Sequence, residues 1–313
     1  MKRLRHPISL VFGMTALLIA VAPGAKSAEQ GPGTVRTKTV ALGLISQRPQ
    51  EEAEEFFRDF VRYVARKLST TSAIEGRVVV APTMLQLAKL LKEKKVDFYM
   101  DSPYPTYLIN GQGAAQLLLR RWRGGMAEYR SILFTRRGSE TTRLEDLLGK
   151  IIAFEDARST SAYFLPKVFL LRKGFRLTEK PSFEAEAKVA PREVGYIFTN
   201  SAEKIVDLVL SNKVAAGAFS NDDYERLEEK RRADLTIMAE TEMFPRYLVS
   251  VRKDLAPALM IRLKEILLSM HQDGEGQKVL QKADNTTKFD MLPGGEETVR
   301  RKLMDLFRPR EKN

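Results

Sequence analysis

Apolar positions along this chain recur in two rhythms that alternate. Residues 39–45 cluster apolar side chains as a buried strand does, and residues 78–80 and 96–100 do so again. Helical spacings lie between them. Pro49 opens the first helix with Glu51 and Glu52 in its favourable first turn, and Phe56, Phe57, Phe60, Val61, Val64 and Leu68 form its core-facing stripe. Ala81-Pro82-Thr83 turns into a helix over residues 84–94, and Asp101-Ser102-Pro103-Tyr104 turns into a short one near residues 106–110. Residues 129–136 then read as a strand that leaves this unit.

A second alternating set follows. Ile151–Phe154 is a strand, residues 162–173 a helix, 194–198 a strand, and 201–210 a helix with a capping-box-like start at Asn200 and Glu203. Residues 214–219 form the next strand, Asn221 begins another helix, and the strand 247–251 carries the chain back. Residues 256–308 are expected to be mostly helical with basic faces. The alternation predicts an α/β protein with two mainly parallel sheets, helices on both faces, and two units joined by two extended crossings. Such units enclose a cleft, and ligands of open α/β sheets sit beyond the carboxyl ends of the strands. The polar turns at Thr83, Ser102-Pro103-Tyr104, Ser159-Thr160-Ser161, Asn200-Ser201 and Asn221-Asp222 all fall there.

Composition removes several chemistries. The 313-residue chain has no cysteine and two histidines, His6 and His271. Disulfides, thiolate nucleophiles and the usual structural zinc sites are thereby excluded, and a serine–histidine hydrolase or multi-histidine metal centre is hard to build. No cofactor and no metal are expected. Lys2, Arg3 and Arg5 precede an apolar run over residues 8–21 and small residues around Ala25-Lys26-Ser27-Ala28, the layout of a cleavable signal peptide over residues 1–28. A periplasmic protein without a lipid anchor is the expectation, with one lobe built from residues 39–130 and 250–313 and the other from 131–249. The formal charge is +12, and removal of Lys2, Arg3, Arg5 and Lys26 leaves about +8. Most basic residues interleave with acids, as on solvated helix faces. The cluster Arg120, Arg121 and Arg123 around Trp122 is the exception, but no nucleic-acid motif accompanies it, and a nucleic-acid partner is not expected. A positive field favours encounter with small anions.

The segment of residues 151–166, IIAFEDARSTSAYFLP, carries the sharpest chemistry. A buried strand, a polar turn and three hydroxyls lead into a helix whose first N–H groups are unpaired and carry partial positive charge. Such a tip suits an oxyanion. Ser159 or Thr160 acting as a plain helix cap is the competing reading. Arg158 is either a bidentate oxyanion contact or a flanking surface residue.

In order along the chain stand VVVAPT (78–83), VDFYMDSPYPTY (96–107), YRSILF (129–134), LEDLLGKIIAF (144–154), RSTSAYFLP (158–166), VAAGAFSND (214–222) and FPRYLVSVRKDL (244–255). In these segments the chain resembles the periplasmic substrate-binding proteins of phosphate, phosphite and phosphonate ABC transporters. The resemblance implies a two-lobed, type-II periplasmic-binding-protein fold that closes on its ligand. It implies that Ser159, Thr160 and Ser161 hydrogen-bond phosphonate-type oxygens, and that the Tyr129 hydroxyl joins them. Ser102 and Tyr104 lie in the turn facing the cleft. Departures fall on the tail pocket. Ser201-Ala202 stands where the family often has a histidine, with Ala202 at the histidine position, and Met84 replaces an aromatic. Asp222 matches one of the acids that hold an aminoalkyl tail, whereas the other falls at Tyr247. Arg246 beside it either supplies a charge the family lacks or is a solvated edge residue, the second being the commoner place for an arginine.

The implied function is capture of a small oxyanion and delivery to an ABC transporter permease, by a protein expected to be monomeric and to need no chemistry. A sensory module for a membrane signalling partner is the alternative, and the basic end from Arg300-Arg301-Lys302 to Arg310 is then either a docking segment or a solvated helix end. An exported enzyme is the weakest reading, because Glu155/Asp156 and Asp222/Asp223 are adjacent acids that do not point together as an acid–base pair requires.

Overall fold

A computed structural model describes residues 38–307 apart from residues 47, 71 and 185–187. The leader assigned to residues 1–28 and the basic end beyond Phe307 lie outside the described residues. No helix among the described residues is long and apolar enough to cross a membrane.

The first sheet contains β1 (Lys38–Ile45), β2 (Ile74–Ala81), β3 (Phe98–Asp101) and β4 (Ala115–Arg123). The short strand β5 (Glu128–Tyr129) then leads out to a second sheet of β6 (Ser131–Arg136), β7 (Ile151–Phe154), β8 (Arg176–Glu179), β9 (Glu193–Phe198), β10 (Ala216–Ser220) and β11 (Leu235–Glu240). The return passes through β12 (Phe244–Pro245) to β13 (Tyr247–Arg252) and, later, β14 (Thr286–Asp290), both in the first sheet. The strand orders are β14-β4-β13-β3-β1-β2 and β11-β6-β10-β7-β9-β8. Two lobes are therefore joined by two crossings, and β5 and β12 pair antiparallel as those crossings pass each other. β13 belongs whole to the first sheet, so the second crossing ends ahead of Tyr247 rather than at Ser250.

The strands are less parallel than the alternation predicts. β1 pairs parallel with β2 and β3, and β7 with β9 and β10, but β13, β4 and β14 run antiparallel in the first sheet, as do β6 and β11 in the second. β6 and β13 are entered directly from the crossings rather than through a βαβ helix and run against their neighbours, and β4, β11 and β14 pair antiparallel with them or with one another.

Each sheet is covered on both faces. In the first, Val40, Leu42 and Phe98 pack against Phe60, Val61 and Val64 of the helix Arg58–Leu68, whereas Tyr99 and Ala81 pack on the other side against Leu87 and Leu91 of Met84–Lys92. Gly76 permits the closest approach, for a Cβ there would lie 2.4 Å from the Val61 carbonyl oxygen. Phe56 does not join the predicted stripe. The helix Gln50–Glu55 ends before it and a new one starts at Arg58, which leaves Phe56 51% exposed. In the second sheet Phe134, Ile197 and Phe219 face Ile205 and Val209, while Phe154, Ile152 and Ala218 face Tyr163 and Leu170. The segment after residue 256 is three helices, Pro257–Ser269, Gly274–Lys282 and Glu296–Phe307, interrupted by β14.

Candidate functional site

The crossings form one wall of a cavity of about 380 Å³ between the lobes. Three sides meet in it. Asp101, Ser102, Pro105 and Met84 come from turns and helix starts after first-lobe strands, Tyr129 and Arg246 come from the crossings, and Tyr247 from the start of β13. Glu155, Arg158, Ser159, Thr160, Ser161, Ser220 and Asp223 come from turns after β7 and β10 in the second lobe.

The hydroxyl triplet opens a wide helical turn, Thr160–Phe164, that runs straight into the α-helix Leu165–Arg172. Pro166 explains the widening. It has no N–H to offer the Ala162 carbonyl, which instead accepts from the Glu155 backbone N–H at 3.2 Å. The segment is thereby tied back to the end of β7. The Ser159 Oγ accepts from the Ala162 N–H at 3.1 Å, so the cap reading and the ligand reading coexist, since the hydroxyl keeps its proton to donate. Thr160 is used differently. Its hydroxyl donates to Ser102 Oγ at 2.9 Å and accepts from the Tyr104 N–H at 3.0 Å, so its proton is committed to a clasp between the lobes. Ser161 is 8% exposed and lines the cavity beside them.

Tyr104 does not line the cavity. Its ring stacks on Phe164 at 4.0 Å and lies 5.7 Å from Phe307, so it forms an apolar clasp across the lobes with the last helix. Ser201 is likewise outside the cavity lining, as N-cap of the helix Ala202–Leu210, where it accepts from the Lys204 N–H; Asn200 takes a left-handed φ of 55° just before it. Asp222 is drawn away from the cavity by two arginines, Arg246 at 2.5 Å and Arg226 at 2.5 Å.

Tyr129 sits on the hinge ribbon with its hydroxyl buried and, among the described residues, without a partner. Arg246 overturns the expectation of a solvated edge. It is 4% exposed and lines the cavity, with its Cζ 5.4 Å from the centre of the Tyr129 ring. Sequence reasoning discounted it because burial of an arginine follows from where two crossings meet, which no local pattern reports. Arg158 also lines the cavity, but its Nε and Nη2 are engaged by Asp156 at 3.1 and 2.7 Å.

Comparison with known proteins identifies the architecture. Residues 42–292 match the family model for the periplasmic substrate-binding protein of phosphonate ABC transporters. The chain belongs to this family. Among solved structures, XAC2383 from Xanthomonas citri, bound to ATP, is 28% identical, with a TM-score of 0.77 over 86% of this chain and 96% of that one. PhnD1 from Prochlorococcus marinus in complex with methylphosphonate is 17% identical, with a TM-score of 0.60 over 86% of this chain and 97% of that one. A binding-protein component of an ABC phosphonate transporter from Pseudomonas aeruginosa, PA3383, is 18% identical, with a TM-score of 0.56 over 81% of each chain. The fold is that of type-II periplasmic binding proteins.

This phosphonate-family cavity is not uniformly positive. Desolvation in the wall pushes the Asp101 carboxyl up to about 6, although one of its oxygens accepts from the Ser102 N–H at 2.7 Å. Burial first, and the nearby Asp223 second, also raise Glu155 above the ordinary carboxylate range. Asp156 moves the other way, held down by its hydrogen bonds with Arg158. Burial holds the Tyr129 phenol well above its ordinary value, so it is a donor at neutral pH. The site thus offers hydroxyl and guanidinium donors next to the carboxyl groups of Asp101, Glu155, Asp156 and Asp223, which accept hydrogen bonds. No cluster of metal-ligating side chains occurs among the described residues.

Proposed function

We propose that this chain is an extracytoplasmic solute-binding protein that captures a phosphate-, phosphite- or phosphonate-type oxyanion between its lobes and delivers it to an ABC transporter permease. The observation that carries this reading is the placement of Ser159 and Ser161, at a helix start, on the wall of an inter-lobe cavity. Hydroxyl protons and helix-start N–H groups converge there on negative charge. The Thr160 clasp to Ser102 and Tyr104 belongs to the closed form, so hinge bending at the β5–β12 ribbon opens the site. The cavity has the volume of roughly a dozen liquid-water molecules, which leaves room for more than a bare oxyanion. Asp101 and Glu155 suit a ligand that also carries donors, such as an acid P–OH or the hydroxyls of a phosphate ester. The relative described as bound to ATP is in keeping with that wider class. On this reading residues 1–28 are the export signal.

The reading is tested by calorimetric titration of the mature protein with inorganic phosphate, methylphosphonate and ATP. Each charge-assisted hydrogen bond contributes about 1.5–3 kcal/mol, so Ser159→Ala with Thr160→Ala is expected to weaken binding at least about tenfold. Unchanged affinity in the double variant, or no heat with any of the three in the parent, counts against it.

A further inference from the structure

The most demanding group in the cavity is one that the hydroxyl-triplet picture leaves unused. Arg246 is 4% exposed, and its Nε and Nη1 are buried with no hydrogen-bond partner among the described residues. Its backbone is fixed, because its N–H donates to the Ala127 carbonyl across the hinge ribbon at 2.7 Å. Its side chain is held at one nitrogen only, by Nη2 donating to Asp222 at 2.5 Å. Burying a cation with unpaired donors is costly, and a fold retains such a group where something else satisfies it.

Geometry narrows what that is. A guanidinium presents two edges, Nε with Nη2 and Nη1 with Nη2, each a planar pair of donors. Asp222 occupies one proton of Nη2. The other edge keeps a complete two-donor fork. Tyr129, whose own hydroxyl is buried and unpartnered, lies against the same guanidinium, and both line the cavity that holds Ser159 and Ser161.

We propose that Arg246 is the charged anchor of the binding site: its free edge forks onto the ligand's phosphoryl or phosphonyl oxygens, with the Tyr129 hydroxyl as a further donor, while Asp222 positions the guanidinium from behind. This rests on the oxyanion reading above and deepens it. A two-donor fork selects a group with at least two terminal oxygens and a full negative charge, and rejects neutral solutes that the hydroxyls alone would tolerate. Asp222 then has a role other than holding a ligand tail. It matches a family acid by position, yet in this chain it serves a cation that the hinge supplies.

The test is calorimetric titration of methylphosphonate, inorganic phosphate and ATP into the parent, Arg246→Lys and Arg246→Gln proteins, each first checked for a native melting transition. Loss of both fork and charge in Arg246→Gln is expected to weaken binding about a hundredfold; Arg246→Lys, which keeps the charge and loses the fork, about tenfold. Arg246→Gln binding within about twofold of the parent overturns the inference while leaving the oxyanion reading intact. A parent that binds none of the three overturns both. Should neither Arg246 variant fold, Asp222→Asn decides: its amide oxygen still accepts from Nη2 and keeps the guanidinium in place while the competing negative charge is gone, so oxyanion affinity rises severalfold if Arg246 is the anchor. Unchanged affinity there rejects the anchor.

Discussion

Arg121 on β4 is 2% exposed and Arg246 at the hinge is 4% exposed, but their surroundings differ in kind. Arg121 donates to Thr286 Oγ1 at 2.7 Å, to the Ala283 and Asp284 carbonyls at 3.2 and 3.0 Å, and to the Asp284 carboxylate at 2.9 Å. Its Cζ also lies 4.7 Å from the centre of the Tyr247 ring, and none of its buried nitrogens is left without a partner. Arg246 has one carboxylate contact and two buried nitrogens unpaired. The first guanidinium is finished by the fold and ties β4 to the turn before β14. The second is finished only by something that enters the cavity. Burial alone therefore does not tell the two arginines apart; their unmet donors, beside a cavity, do.

The strongest challenge to that contrast is Arg121→Met. Removing one partner of a buried ion pair leaves the other desolvated, and a loss of about 3 kcal/mol or more of unfolding free energy is expected in urea titration. A loss under about 1 kcal/mol says that the two arginines are not different in kind. Asp101→Asn sharpens the contrast from the acidic side. Its carboxyl titrates near 6 in the fold against about 3.9 in an unfolded chain. A raised carboxyl favours the fold below the unfolded value, and that stabilisation is lost as pH rises through about 6. The parent is expected to lose about 2 kcal/mol of stability between pH 4 and pH 8 from this group, and Asp101→Asn to flatten that slope. An unaltered slope in the variant removes Asp101 from the account. Thr160→Val breaks the hydroxyl clasp at Ser102 and Tyr104, and about 1 kcal/mol of stability should go with it. Smallest is the effect of Arg246→Gln on the ligand-free protein, a change within about 0.5 kcal/mol, since Asp222 keeps its pair with Arg226 and the loss of the Asp222 contact is offset by removal of two buried, unpaired donors. A large loss there would mean that Arg246, like Arg121, is structural.

Much of the architecture is written locally in the sequence. The strands β1, β3, β7, β9 and β10 stand out as apolar runs bounded by turns, and Ser159-Thr160-Ser161 stands out because three hydroxyls between such a run and a helix is a local pattern. β4 and β14 were hidden by their charge. β4 carries Arg120, Arg121 and Arg123, read from sequence as a surface cluster. In the fold Arg120 meets Glu128 and Asp290, and Arg123 meets Asp284, so long-range pairing neutralises what looked like a patch. The burial of Arg246 and the Thr160 clasp were invisible for the same reason: both depend on residues tens of positions away that the two crossings bring together. Tyr104 lies in the expected turn, but Phe164 and Phe307 claim its ring and turn it out of the cavity.

A crystal structure of the protein grown with methylphosphonate tests the central claim most directly. The account predicts the phosphonate between the lobes, with its oxygens within about 3.2 Å of Ser159 Oγ, Ser161 Oγ and one edge of the Arg246 guanidinium. Methylphosphonate bound elsewhere, or bound in the cavity with Arg246 still unpaired, would contradict it.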